Sequence, residues 1–318
     1  MVKSHFKNIK MKYFTQLMLV LFTFSACDNN NEKIATEPLN FITIGDKSYG
    51  VSSNGTYGNT NCSSIFAHLD YESATDRGFR LAFTLNKYGA VSKVKLMMYQ
   101  NMVTIYESAD FNSSSTFKIS NFIYKPEQNF LSFDFEGDLL KVNAAVDEID
   151  NVHLRKYIKG KFNMSNIQDI ACGIFMDDLN FSSNDFKFST NRTFKTATTN
   201  PNSSVFETQF YSENGYQISF RNDTDLWTLP LGTYTFTENS SLNKINCSKF
   251  IGNPRATSIL IKRPVDWKIL QTAGSFIISE KVVIRGTRVI KGTFTLKIFE
   301  NGFVIYDIIN GNFAVTGF

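Results

Sequence analysis

Hydrophobic residues recur along this chain with a period of two. Phe79, Leu81 and Phe83 alternate with Arg80 and Ala82, and Leu131, Phe133 and Phe135 alternate with Ser132, Asp134 and Glu136. Successive side chains of a strand point to opposite faces, so both segments predict half-buried β-strands. Toward the C-terminal end, 274–280, 282–285, 291–299, 303–309 and 312–315 carry the same β-branched and aromatic pattern. Glu300-Asn301-Gly302 predicts a hairpin turn, because Asn-Gly accepts positive φ. Asn310-Gly311 predicts a second one. Residues 139–149 alone read as a helical turn or irregular excursion.

The pattern is repeated. Phe41-Ile-Thr-Ile-Gly-Asp-Lys-Ser-Tyr49 aligns with Phe186-Lys-Phe-Ser-Thr-Asn-Arg-Thr-Phe194. Both predict strand, turn and strand, with Gly45-Asp46 and Thr190-Asn191 at the turn. Ser64-Ile-Phe aligns with Ser204-Val-Phe, and Gly78-Phe-Arg-Leu-Ala-Phe83 with Gly215-Tyr-Gln-Ile-Ser-Phe220. Ile158-Lys-Gly-Lys-Phe162 aligns with Ile290-Lys-Gly-Thr-Phe294, and without a gap Asn180-Phe181 falls on Asn312-Phe313. Five blocks in one order predict two copies of one unit, 39–183 and 184–318.

Composition narrows the class. The chain has 31 Phe and 13 Tyr against six Pro, and its aromatic runs are cut by Asn, Gly, Ser and Asp. That mixture predicts an all-β protein of two tandem antiparallel β-sandwich domains. Partly open β-barrels are the alternative, since periodicity does not say how a sheet closes.

The first 38 residues follow other rules. Lys3, Lys7, Lys10 and Lys12 precede the short apolar run Leu17-Met-Leu-Val-Leu-Phe-Thr-Phe24. Basic residues, a short apolar run and small residues before a cut predict a secretory signal over 1–26, with Met11 as an alternative start. The polar stretch after Cys27 cannot bury enough surface to order itself and reads as a tether over 27–38. Removing the four signal lysines turns the formal charge of +4 into zero, so bulk charge gives no reason to expect a nucleic-acid partner. The halves differ in sign: 28–183 carries 14 basic and 19 acidic side chains, net −5, and 184–318 carries 15 and 10, net +5.

Three resemblances follow from these residues. Phe24-Ser25-Ala26-Cys27 resembles the lipobox of bacterial lipoproteins, although that pattern prefers Leu where Phe24 stands. The resemblance implies a covalent diacylglycerol on Cys27 as the sole prosthetic group, and outer-membrane lipid as a partner through that residue. The acid-containing tether resembles a surface-export signal, implying a lipid-anchored, surface-exposed location. The segment Gly274-Ser-Phe-Ile-Ile to Asn310-Gly-Asn-Phe-Ala-Val315 is similar to the closing strands of a family of uncharacterised Bacteroidota lipoproteins, with their "G-T-F … N-G-x-F" ending. Leu229-Pro-Leu-Gly-Thr-Tyr-Thr-Phe236 fits their middle strand. This last resemblance implies a location and a small β-sandwich fold, and no activity.

Chemistry is sparse. His68 and His153 lack any His-x-x-x-His or Cys-x-x-Cys context, so no metal site is expected. There is no Gly-x-Ser-x-Gly elbow and no phosphate loop, so no catalytic residue is assigned. Asp134, Glu136 and Asp138 share a strand face opposite the core and read as solvated. Asp147, Glu148 and Asp150 form an oxygen-rich cluster that could hold calcium but lacks the spaced ligand series. Asp177-Asp178 closes the first half. Cys62 and Cys172 are candidates for a disulfide, as the expected compartment permits one. Trp227 and Trp267 are candidate sugar-stacking platforms. The expectation is a non-enzymatic cell-envelope binding or structural module, with a glycan or an envelope protein as candidate partner. A fimbrillin-type adhesin subunit is the alternative, and a polysaccharide-processing protein a more distant one.

Overall fold

In the computed structural model, residues 39–318 are described, apart from 62–63, 73–77, 100–101, 143–150, 171–176, 184–185, 201–202 and 256–263. The fold is all-β. The first sheet contains β1 (Phe41–Ile44), β2 (Lys47–Gly50), β3 (Thr56–Asn61), β4 (Ser64–Tyr71), β5 (Phe79–Asn86), β6 (Val91–Tyr99), β7 (Val103–Glu107), β8 (Phe117–Lys125), β9 (Phe130–Lys141), β10 (Arg155–Met164) and β11 (Gln168–Ile170). The second contains β12 (Asp178–Ser182), β13 (Lys187–Asn200), β14 (Ser203–Ser212), β15 (Tyr216–Asn222), β16 (Gly232–Phe236), β17 (Lys244–Phe250), β18 (Trp267–Ile284), β19 (Thr287–Glu300) and β20 (Phe303–Thr316). No helix among the described residues is long and apolar enough to cross a membrane.

The second sheet runs β18-β17-β15-β14-β13-β12-β20-β19 and closes on itself where β18 pairs with β19, giving an eight-stranded barrel. β16 adds to β18 outside that ring. A barrel of eight strands is just wide enough for side chains to fill it, and Phe210, Phe220, Phe276 and Phe294 do so. The first sheet runs β11-β3-β4-β5-β6-β7-β9-β10-β1-β2, with β8 also on β9. Its ends curl toward each other. Gly58 of β3 packs on β10, where an added Cβ would stand 3.0 Å from Met164 Sδ, but no ladder joins these strands. This half is an open barrel around Phe83, Phe117, Phe133 and Phe162.

The alternation holds along β5 over 79–83 and along β9 over 131–136, with buried Ser132 as the exception. Phe79, Leu81, Phe83, Leu131, Phe133 and Phe135 are buried, and Asp134, Glu136 and Asp138 face outward. Asn301 and Gly302 both take positive φ, at 53° and 81°, in the turn between β19 and β20.

Two predicted turns are not turns. β20 runs straight through Asn310-Gly311. Gly311 lies opposite Phe294, where a Cβ would come within 2.2 Å of the ring. Reciprocally, Gly292 lies opposite Phe313, where a Cβ would stand 2.6 Å from the ring and closer still to the Ile277 carbonyl oxygen. Gly160 of the first half lies opposite Phe135, where a Cβ would stand 2.7 Å from the ring and closer still to the Phe41 carbonyl oxygen. Gly311 is therefore a seat for a cross-strand phenylalanine ring, and the glycine of the repeated Ile-Lys-Gly-x-Phe block admits both a ring and a neighbouring strand's carbonyl. Thr190-Asn191 likewise sits inside β13, at a register shift rather than a turn. An extra residue bends a strand without ending it. The Thr190 hydroxyl satisfies both backbone groups of Leu179, donating to the carbonyl at 2.6 Å and accepting from the N–H at 3.0 Å. In 139–149, Leu139, Leu140 and Lys141 complete β9 as strand; 143–150 lies outside the described residues.

β12 contains Asn180-Phe181, a repeat block of the first half, yet it pairs in the second sheet between β13 and β20. The sheets thus divide between Ile170 and Asp178. Residues 38–318 nevertheless cluster as one unit, joined by buried groups. Phe111, in the connection after β7, enters a pocket of Tyr211, Phe250 and Trp267, its ring centroid 5.0 Å from that of Phe250 and 5.2 Å from that of Trp267. Beside it, Asp110 accepts from Lys93 at 2.8 Å and from Arg192 of β13 at 3.3 Å. Asn191 donates to the Val91 carbonyl at 2.7 Å, and Glu213 accepts from the Val91 N–H at 2.7 Å.

Candidate functional site

The joint between the halves leaves a cleft of about 850 Å³ open along its flank, within the roughly 300–1,000 Å³ of ordinary ligand sites. Its first wall is the turn between β5 and β6, carrying Lys87 and Tyr88. Asn86 builds that turn. The Asn86 amide oxygen accepts from the N–H groups of Tyr88 and Ala90, both at 2.9 Å. The Asn86 amide nitrogen donates across the joint to Ser189 Oγ at 2.7 Å and to the Thr190 carbonyl at 2.8 Å. Backbone N–H groups only donate, so the amide orientation is fixed by its partners. One buried side chain therefore shapes the turn and bolts it to β13.

The second wall is the end of β8, with Phe122, Ile123, Tyr124 and Lys125. Positive φ at Asn121 (49°) and a register shift between Ser120 and Ile123 turn this end away from regular pairing with β9. The floor comes from the second sheet. Asn312 of β20, Asn180 of β12 and Ser189 of β13 are direct cross-strand neighbours, forming a row of amides and a hydroxyl spaced by the strand separation of about 4.8 Å. Lys187 rises from the same floor.

Among the described residues lining the cleft are three lysines and no carboxylate, histidine or cysteine. Lys87 lies 3.8 Å from Asp178, just outside the lining, and 5.0 Å over the ring of Tyr88. Tyr88 is 46% exposed, and its hydroxyl accepts from Asn180 at 3.4 Å. Two smaller depressions extend the cleft. One, of about 370 Å³, shares Tyr88, Phe122, Lys187 and Ser189 with it and reaches Glu213. The other, of about 250 Å³, shares Asn310 and Asn312 and continues over Thr293 and Thr295 of β19. Burial raises the Glu213 carboxyl pKa above its ordinary value, against the Val91 N–H and Lys187, which favour its charged form.

No family model, curated protein or solved structure matches this chain.

The residues singled out in the sequence lie elsewhere. Trp267 is buried, with 8% of its surface exposed and its ring packed on Phe111, Tyr211 and Phe250. A stacking platform needs a free face, so Trp267 is a residue of the joint and not the sugar platform expected from the sequence. Trp227 is half-buried on the barrel core, with Lys281 and Arg288 at 5.7 and 5.8 Å from its ring. Cys27, Cys62 and Cys172 lie outside the described residues, as do Asp147, Glu148 and Asp150. Cys247 is free inside the barrel core, where burial pushes its thiol pKa up. His68 stacks near Tyr57 at 4.8 Å, and burial lowers its pKa more than neighbouring Asp70 raises it. His153 is exposed. Asp177 accepts from the Thr316 N–H at 2.5 Å and from its hydroxyl at 3.0 Å, so it anchors the last strand. No group of His, Cys, Asp and Glu with metal-binding geometry occurs among the described residues.

Sequence reading missed Asn86, Lys87, Tyr88 and Asn180. They come from separate elements, and no spacing links them. An Asn before Lys-Tyr-Gly announces a turn and nothing about a partner strand about 100 residues on.

Proposed function

We propose that this protein is a lipid-anchored, surface-exposed cell-envelope module that binds its ligand non-enzymatically in the cleft between the two sheets. The carrying observation is the lining of that cleft. Amides, hydroxyls, half-exposed aromatic rings and lysines hold a polar ligand by hydrogen bonds and ring contact. The wall and floor are fixed to each other by buried hydrogen bonds through Asn86 and by Phe111, so the site is preorganised and little ordering cost falls on binding. The anchor rests on the basic start, the short apolar run and Cys27 of the sequence.

Two measurements test this reading. Labelled palmitate should enter the wild-type chain in cells and be absent from Cys27→Ala; incorporation that survives the substitution removes the anchor. The full chain, purified in detergent, should retain envelope glycans or proteins in a pull-down, and Tyr88→Ala with Asn180→Ala should release them. Retention unchanged by those substitutions places binding outside the cleft.

A further inference from the structure

Resting on the reading of the cleft as the ligand site, we infer that its ligand is an extended acidic polysaccharide carrying carboxylate or sulfate groups. The first observation is length. The cleft and its two flanking depressions share residues at both junctions, Tyr88 and Lys187 at one and Asn310 and Asn312 at the other. Together they form a groove that crosses from the joint onto the outer face of the barrel. A compact small molecule needs one concavity, whereas a polymer strand uses a continuous row of them.

The second observation is the chemistry of the floor. Thr293, Asn312 and Asn180 are successive cross-strand partners from β19 to β12, and the row ends on Ser189 of β13, which is buried and already bonded to Asn86. The row offers amide and hydroxyl groups, which both donate and accept, at regular intervals along the groove. Sugar hydroxyls also both donate and accept, so such a floor can satisfy them without charge. Tyr88 and Tyr124 supply rings beside it, and a ring offers apolar contact to the C–H face of a sugar while its hydroxyl stays hydrogen-bonded.

The third observation is sign. Lys87, Lys125 and Lys187 converge on the central cleft without a carboxylate among its described lining residues. Asp178 offsets Lys87 at 3.8 Å. Lys187 faces Glu213, whose charged form burial disfavours. Lys125 forms no ion pair among the described residues. The groove thus keeps a positive excess over a floor suited to sugars, and an anionic glycan meets both.

Titration calorimetry on the full chain in detergent tests the inference. The probes are length-matched oligosaccharides: oligogalacturonate for carboxylates alone, chondroitin sulfate for carboxylates together with sulfates, and cello-oligosaccharides as the uncharged set. At least one acidic probe should bind about tenfold or more tighter than the uncharged set, and should weaken as salt rises from about 50 to about 300 mM. Lys125→Gln with Lys187→Gln should cost about tenfold in affinity for that probe, and Tyr88→Ala should weaken acidic and uncharged probes alike. Melting curves of these exposed-site variants confirm folding. Uncharged probes binding as well as acidic ones, with loss on Tyr88→Ala and indifference to the lysines, would overturn the acidic assignment and leave the cleft standing. Acidic binding that ignores all three substitutions would overturn the cleft reading itself. Absence of binding to every acidic probe, or capture by anionic-lipid vesicles in their place, also sinks the inference.

Discussion

Replacing Asn86 by Asp separates the two jobs of one side chain. The substitution keeps the size and both acceptor bonds, from the Tyr88 and Ala90 N–H groups at 2.9 Å. It removes the two donor bonds to Ser189 Oγ and the Thr190 carbonyl. The Ser189 hydroxyl can rotate and donate to the new carboxylate, so that loss is small. The Thr190 carbonyl has no proton to offer and faces a carboxylate oxygen at close range. A buried acceptor stripped of its donor costs about 1–3 kcal/mol, and repulsion adds to this, so Asn86→Asp should destabilise by about 2–4 kcal/mol near pH 7.5. The sign of the pH dependence is fixed. Burial and the facing carbonyl raise the folded-state pKa of the introduced carboxyl above its unfolded value of about 3.9. Between those two values the folded chain holds a proton that the unfolded chain has lost, so the deficit is full above the folded pKa and shrinks as pH falls. In its protonated form the acid can donate to the Thr190 carbonyl. Urea unfolding of wild type, Asn86→Asp and Asn86→Ala from about pH 5 to about pH 8 reads the effect. Asn86→Ala loses all four bonds, and its deficit should show no comparable pH dependence. A deficit under about 1 kcal/mol near pH 7.5, or one that does not shrink toward acid, would refute the role given to this residue.

Other substitutions probe the same architecture. Phe111→Ala should cost about 3–5 kcal/mol by emptying the joint pocket; in a Trp227→Phe background, Trp267 emission should shift to the red, and an unchanged spectrum and melting temperature would count against the joint. Gly311→Ala should cost about 3 kcal/mol by displacing the Phe294 ring, and less in a Phe294→Leu background; equal costs in both would show that the ring is not what the glycine accommodates. Glu213→Gln keeps an acceptor for the Val91 N–H. Because burial raises the Glu213 pKa, its contribution falls as pH rises from the ordinary glutamate value to the raised one. Unfolding measured across that window should lose this slope in Glu213→Gln, and an unaltered slope would assign it to another group.

The alternation of apolar and polar residues by itself determined strand identity and the inward face of each strand, because side-chain direction in a strand depends only on backbone period. It made Phe79, Leu81 and Phe83 core and sent Asp134 and Glu136 outward, and the Asn-Gly dipeptide placed the turn at Asn301-Gly302. It could not distinguish a glycine that turns the chain from one that seats a ring. Both Gly302 and Gly311 follow an asparagine, but only Gly311 has a phenylalanine across the ladder. Sheet closure was also out of reach, since the pairing of β18 with β19 and the placement of β12 beside β20 depend on which strands meet. The same limit hid the cleft. Lys87 and Tyr88 acquire Asn180, Asn312 and Lys187 as neighbours only when Asn86 reaches β13 and Phe111 fills its pocket. Those contacts span about 100 residues or more of chain, and tertiary packing alone brought them together.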